Sequence, residues 1–115
     1  MGYMRSHAII VESWHEEQLI AAHKFASSLF PWVSPISPPA INSRRSFLIP
    51  GDGSKEGWSE SNDGDERRAK FKEHLVATYR YEDGSTSIRW VEVQFADDDG
   101  DVAVCDHDGN QHASP

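Results

Sequence analysis

From residue 75 onward, three runs rich in β-branched and aromatic residues, LVATYRY (75–81), SIRWVEVQF (87–95) and DVAVCDH (101–107), are separated by EDGST and ADDDG. Strand-forming runs punctuated by Asp/Gly turns predict antiparallel strands joined by short connections. This feature constrains the fold most, because consecutive hairpins need one side of the resulting sheet covered. Side chains alternate across a strand, so Val91, Val93 and Phe95 share one face of the central run, and Ile88 and Trp90 share the other. The Val91/Val93/Phe95 face is expected to meet the cover. Trp90 is then expected on a partly open face, packed against Tyr79 or Tyr81.

The first half of the chain supplies that cover. SHAIIVES predicts a strand at about 7–12, and Ser13 with Glu16 forms an S-x-x-E capping box opening a helix at about 14–30. Leu19, Ala22, His23, Ala26, Leu29 and Phe30 recur at helical spacing as its buried stripe. Pro31 stops the helix, and PWVSPISPPAI gives a constrained connection rather than a ligand for a proline-binding domain, since it lacks a basic anchor. RRSFLI at 44–49 reads as the second strand. A second helix is expected at about 64–74, capped by Asn62 or Asp63, with Phe71 and Leu75 inward and Arg67, Arg68, Lys70 and Lys72 around its solvated side.

These elements predict an α+β fold in which two helices pack on a mainly antiparallel mixed sheet, in the order β-α-β-α-β-β-β. A length of 115 residues suits one compact domain, 1–115, with a flexible C-terminal tail. An intramolecular disulfide is impossible with Cys105 alone, which favours a cytoplasmic location. No apolar stretch approaches the roughly 20 residues of a membrane span, so no membrane association is expected. The net charge of −8 is uneven: residues 1–50 carry four Lys or Arg against three Asp or Glu, and residues 51–115 carry seven against sixteen. That acidity argues against direct binding to nucleic acid, whose phosphates attract basic surfaces.

The segment IPGDGSKEGWSESNDGDERR, residues 49–68, tests several chemistries. A phosphate loop needs glycine before its lysine and a hydroxyl residue after it. Here Ser54 precedes Lys55 and Glu56 follows. Asp52, Asp63, Asp65 and Glu66 offer hard oxygen ligands, yet their order does not match a twelve-position calcium loop. The segment therefore reads as an acidic connection, and no cofactor is expected.

Six histidines, His7, His15, His23, His74, His107 and His112, supply candidate bases, but their spacing establishes no convergence with a carboxylate. His15 is expected to be exposed in the first helical turn. His23 is expected to be a polar member of the packed face, and His74 to lie near a helix end where its charged form is favoured. CDHDGNQH places Cys105 near His107 and His112, a set that zinc could take with Asp106, Asp108 or water as the remaining ligand. The competing reading, adopted here, is a packed and inert Cys105, with no metal ligands assigned.

SFLIPGDGSKEGWSES, GDERRAKF and RYEDGSTSIRWVEVQF, within the C-terminal two-thirds, resemble small uncharacterised proteins encoded by bacteriophages and prophages. The resemblance implies an accessory or host-interaction role and carries over no catalytic residue. Together with the acidic second half, it suggests a non-enzymatic adaptor or modulator whose partner is a host or phage protein. Trp58 and Trp90 would anchor that contact, with Glu56, Glu60, Asp63 and Asp65 flanking Trp58. The alternative is a small enzyme or metal-binding protein using histidine, cysteine and carboxylate residues.

Overall fold

A computed structural model describes residues 5–51, 59–96 and 103–108 of the chain. Strand β1 (Arg5–Ser13) leads to helix α1 (Glu16–Leu29), strand β2 (Arg45–Ile49), helix α2 (Ser59–Thr78), and strands β3 (Ile88–Ala96) and β4 (Ala103–His107). The strands form one antiparallel sheet in the order β2-β1-β3-β4. The α+β architecture follows the sequence expectation. The run expected as a strand at 75–81 departs from it in detail: α2 continues to Thr78, and only Arg80 bridges back, to Thr86. Phe71, Leu75 and Tyr79 are all buried, so helical spacing prolongs the apolar stripe through residues that also suit a strand. Gly84, at φ 87°, closes the EDGST turn, where Asp83 accepts hydrogen bonds from the Ser85 amide and hydroxyl.

The core lies between the helices and one sheet face. Leu19, Ala22 and Ala26 of α1 and Phe71 and Leu75 of α2 meet Ile9, Val11, Phe47, Ile49, Ile88 and Trp90. The face of β3 is therefore the reverse of the expected one. Trp90 is 6% exposed and Ile88 is buried, whereas Phe95 is 45% exposed on the open side. Both faces of SIRWVEVQF are apolar, so alternation alone leaves its parity undecided. Pairing with β1 decides it, because a strand slipped by one residue would turn every side chain over. Ile9 stands opposite Glu92 and Val11 opposite Trp90, and those four residues share the covered face.

Two helix starts also differ from expectation. Ser13 remains at the end of β1, buried, and its hydroxyl accepts the His15 amide at 2.9 Å. His15 is the actual cap of α1: its Nδ1 accepts the Gln18 amide at 3.2 Å, and its side chain is half-buried rather than exposed. Asn62 and Asp63 lie inside α2 rather than capping it. The proline-rich connection protects the sheet edge. Ser34 and Ser37 donate their amides to Leu48 and Ser46 of β2, and their hydroxyls accept the amides of those same two residues.

Candidate metal centre

At the far end of the covered face the apolar stripe gives way to polar groups from four elements. His7 precedes Ile9 by two residues on β1, and Glu92 follows Trp90 by two on β3, so strand alternation sends both toward the helices. Cys105 arrives by a different route. Val93 pairs with Val104 and Glu92 with Asp106, which leaves Cys105 as the extra residue of a β-bulge in β4. A bulge re-aims a side chain that simple alternation would send elsewhere. The Cys105 Sγ comes 3.9 Å from His7 Nδ1, and the same nitrogen lies 3.0 Å from Glu92 Oε2. One ligand atom from each residue lies within 4.8 Å of the other two.

Backbone and charge fix this arrangement. Gly51, just beyond β2, crosses β1 so closely that a Cβ would stand 3.2 Å from the Ser6 Cβ and 3.3 Å from the His7 backbone. Glu92 is buried, and its oxygens are held by Lys72 at 2.5 Å, His7 at 3.0 Å and the Arg68 Nε at 3.5 Å. A carboxylate this deep needs such partners, since an unpaired buried charge is strongly disfavoured. Lys72 also reaches Asp106 at 3.1 Å, and Arg68 binds Asp65. Burial alone would lower the Lys72 pKa, but hydrogen bonds and charges from Glu92 and Asp106 hold it above the ordinary lysine value. Burial likewise opposes ionisation of Asp106, yet Lys72 and the His107 amide hold its pKa below the usual aspartate value. Lys72 is therefore an ammonium clamp between two carboxylates.

The geometry distinguishes two chemistries. A cysteine nucleophile in a relay would use one imidazole nitrogen for the thiol and the other for the carboxylate. Here thiol and carboxylate face the same nitrogen, so the three donors converge on a common point. A tetrahedral zinc ion with bonds of about 2.0–2.3 Å spaces its donors by roughly 3.3–3.6 Å. The observed 3.0 and 3.9 Å separations from His7 bracket that spacing, and the sulfur and carboxylate, within 4.8 Å of each other, would draw together around an ion.

Several sequence readings are corrected by this cluster. The absence of a convergent histidine, carboxylate and cysteine, on which a non-enzymatic protein was expected, is overturned by His7, Glu92 and Cys105. Cys105 is exposed at the mouth of the cluster rather than packed and inert. His107 is not a member, Asp108 is buried with its carboxylate against Arg89, and His112 lies outside the described residues. Arg68 and Lys72 turn inward instead of occupying a solvated surface. His7 was missed as a ligand because its partners are 85 and 98 residues away. A usable signal was present in Glu92, an acid inside an apolar strand, and in Arg68 and Lys72, spaced i,i+4 beside the apolar Phe71/Leu75 pair.

Of the expected interaction surface, Trp90 is buried and unavailable as an anchor. Asp63 and Asp65 are exposed on α2, Glu60 lies in its first turn, and Glu56 and Trp58 fall outside the described residues. His23 does pack as a polar core member, half-buried with its Nε2 2.8 Å from the Ser34 carbonyl and its ring edge-on to Phe47. His74 differs from expectation: it stacks on Phe25 at 3.9 Å, and burial lowers its pKa instead of favouring its charge. Among the described residues no helix is long and apolar enough to cross a membrane. No protein-family model, curated protein or solved structure matches this chain, so the phage resemblance rests on its three sequence segments alone.

Proposed function

We propose that this chain binds a zinc-class dication through His7 Nδ1, a Glu92 carboxylate oxygen and the Cys105 thiolate. The observation that carries the reading is the convergence of nitrogen, oxygen and sulfur donors from three adjacent strands on one point. Thiolate and imidazole select zinc and its neighbours over magnesium or calcium, which take oxygen ligands. Charge agrees with this choice. Arg68 and Lys72 face the three carboxylates Asp65, Glu92 and Asp106, leaving one net negative charge when His7 and the Cys105 thiol are neutral. A dication that displaces the thiol proton brings the cluster to neutrality.

Glu92 Oε1 is held by Lys72, so Oε2, now against His7, is the oxygen that would be offered to an ion. Three protein ligands leave one position for water or a small ligand, the pattern of reactive rather than closed structural zinc sites. With His7, Glu92 and Cys105 holding it, the ion would supply Lewis acidity toward a small molecule at the open position. The exposed Cys105 side gives the ion its entry path.

Mass spectrometry under non-denaturing conditions, on chain purified without added metal, loaded with a slight excess of zinc and freed of unbound metal by dialysis, should find one zinc per chain. Cys105→Ala and His7→Ala should lose it, and His107→Ala should retain it. Cobalt substitution should add a thiolate-to-metal absorption band that is absent from Cys105→Ala. Failure to take up one equivalent, or uptake unaffected by removing Cys105, rules the reading out.

A further inference from the structure

The end of α1, the end of β2 and the first half of α2 border a recess of about 240 Å³ lined by Arg68, whose Nε also faces Glu92. Phe30, Trp32, Ile49 and Pro50 supply its apolar walls, and Arg67 and Arg68 supply its charge. No acidic residue lines it among the described residues. That polarity is unusual on a chain of net charge −8, and it selects an anion.

The two guanidiniums differ in their commitments. Arg68 gives one Nη2 hydrogen to Asp65 and turns Nε toward Glu92, leaving further hydrogens of its five donors for another acceptor. Arg67 has no ion-pair or hydrogen-bond partner among the described residues, although it also borders a shallower recess beside Asp63 and Glu66. Gly64 is buried on the wall of the recess that Arg68 lines, inside α2, where glycine costs about 1 kcal/mol of helix stability relative to alanine. A planar guanidinium recognises a carboxylate through paired hydrogen bonds, and apolar walls exclude a fully hydrated ion such as acetate.

We infer that this recess is a binding site for a small apolar carboxylate, with the acid group at Arg67 and Arg68 and its aromatic or branched aliphatic body between Phe30, Trp32 and Ile49. The site shares Arg68 with the polar cluster but needs no metal.

The test titrates the full chain, with chelator present throughout, using phenylacetate, octanoate, acetate and the neutral isostere phenylacetamide, followed by amide chemical shifts and calorimetry. Phenylacetate or octanoate should saturate, with shifts concentrated at residues 30–32, 49–51 and 64–68. Acetate and phenylacetamide should bind at least roughly ten-fold more weakly, as expected for loss of either the apolar body or a charge-assisted hydrogen bond. Arg67→Gln should weaken the favoured acid several-fold while circular dichroism stays native. Trp32→Ala, a change at an exposed position, should weaken it independently. The absence of saturable binding by both apolar acids overturns the inference, as does equal binding of phenylacetamide or unchanged affinity in both folded variants. Repeating the titration with zinc in place of chelator supplies the control: binding seen only with zinc overturns the inference, because the site would then be an extension of the metal centre.

Discussion

The helix-covered face of the sheet has two unlike ends. At one, Ile88 and Trp90 of β3 meet Val11 of β1 beneath Leu19, Phe71 and Leu75. At the other, two residues farther along β3 and four farther along β1, His7 and Glu92 meet Arg68 and Lys72. Helix α2 serves both ends with neighbouring i,i+4 pairs, Phe71/Leu75 and Arg68/Lys72. The apolar end is stabilised by burial, which is tolerant of geometry. The polar end depends on satisfying each charge, so it specifies atomic positions more sharply and brings reactive donors together. A single repeating strand pattern thus builds the core and then, where it breaks, a site.

The largest expected effect separates the two faces of β3. Trp90→Ala should cost about 3–5 kcal/mol, as for removal of a large buried aromatic. Phe95→Ala, on the open face, should cost about 1 kcal/mol or less. Urea denaturation of both variants measures the contrast. Equal losses would mean that the strand does not present Trp90 to the helices.

At the polar end the expected loss is smaller. Glu92→Gln keeps shape but leaves Lys72 and Arg68 facing a neutral amide, at a cost of about 2–3 kcal/mol. Lys72→Met should cost less in the Glu92→Gln background than in the parent chain, because there it breaks only the Asp106 pair and leaves no buried Glu92 carboxylate without its ammonium. A double-mutant cycle measured by urea denaturation gives the coupling directly. Additive losses would show that Lys72 and Glu92 do not act as a pair.

The same contrast explains what was legible in the sequence. Helix α1, strand β2 and the EDGST turn were readable from periodicity, Pro31 and Gly84, because local sterics and burial determine them. The Cys105 bulge was not, since an inserted residue is defined by the register against β3 and leaves no mark in DVAVCDH itself. Nor was the inward turn of Glu92 read, because Val91, Val93 and Phe95 made the opposite face equally apolar. The partners that make a buried acid tolerable come from α2 and β1, and only tertiary pairing brings them near. Core faces are averages over many residues, whereas the site depends on the parity of one strand and one extra residue in another.

His74 offers the finest comparison, because it belongs to the apolar end while carrying a titratable ring. It stacks on Phe25, lies edge-on to Tyr79, and has Nε2 3.4 Å from the Tyr79 hydroxyl. Burial lowers its pKa from the ordinary value of 6.5, so the folded state binds a proton less readily than the unfolded chain. Its neutral form therefore contributes stability above about pH 6.5, and that contribution is lost as pH falls from there toward the lower folded value. Tyr79 stays protonated throughout this window, since burial raises its pKa from 10.0. His74→Phe preserves an aromatic surface against Phe25 and removes the titration. Urea denaturation at pH 8 and pH 5.5 should therefore show a smaller stability decrease in His74→Phe than in the parent chain, with other histidines contributing equally to both. A proton-NMR titration of the His74 ring should place its midpoint below 6.5. Parallel pH profiles for parent and variant, or a midpoint above that value, would mean that stacking on Phe25 does not exclude the charged ring.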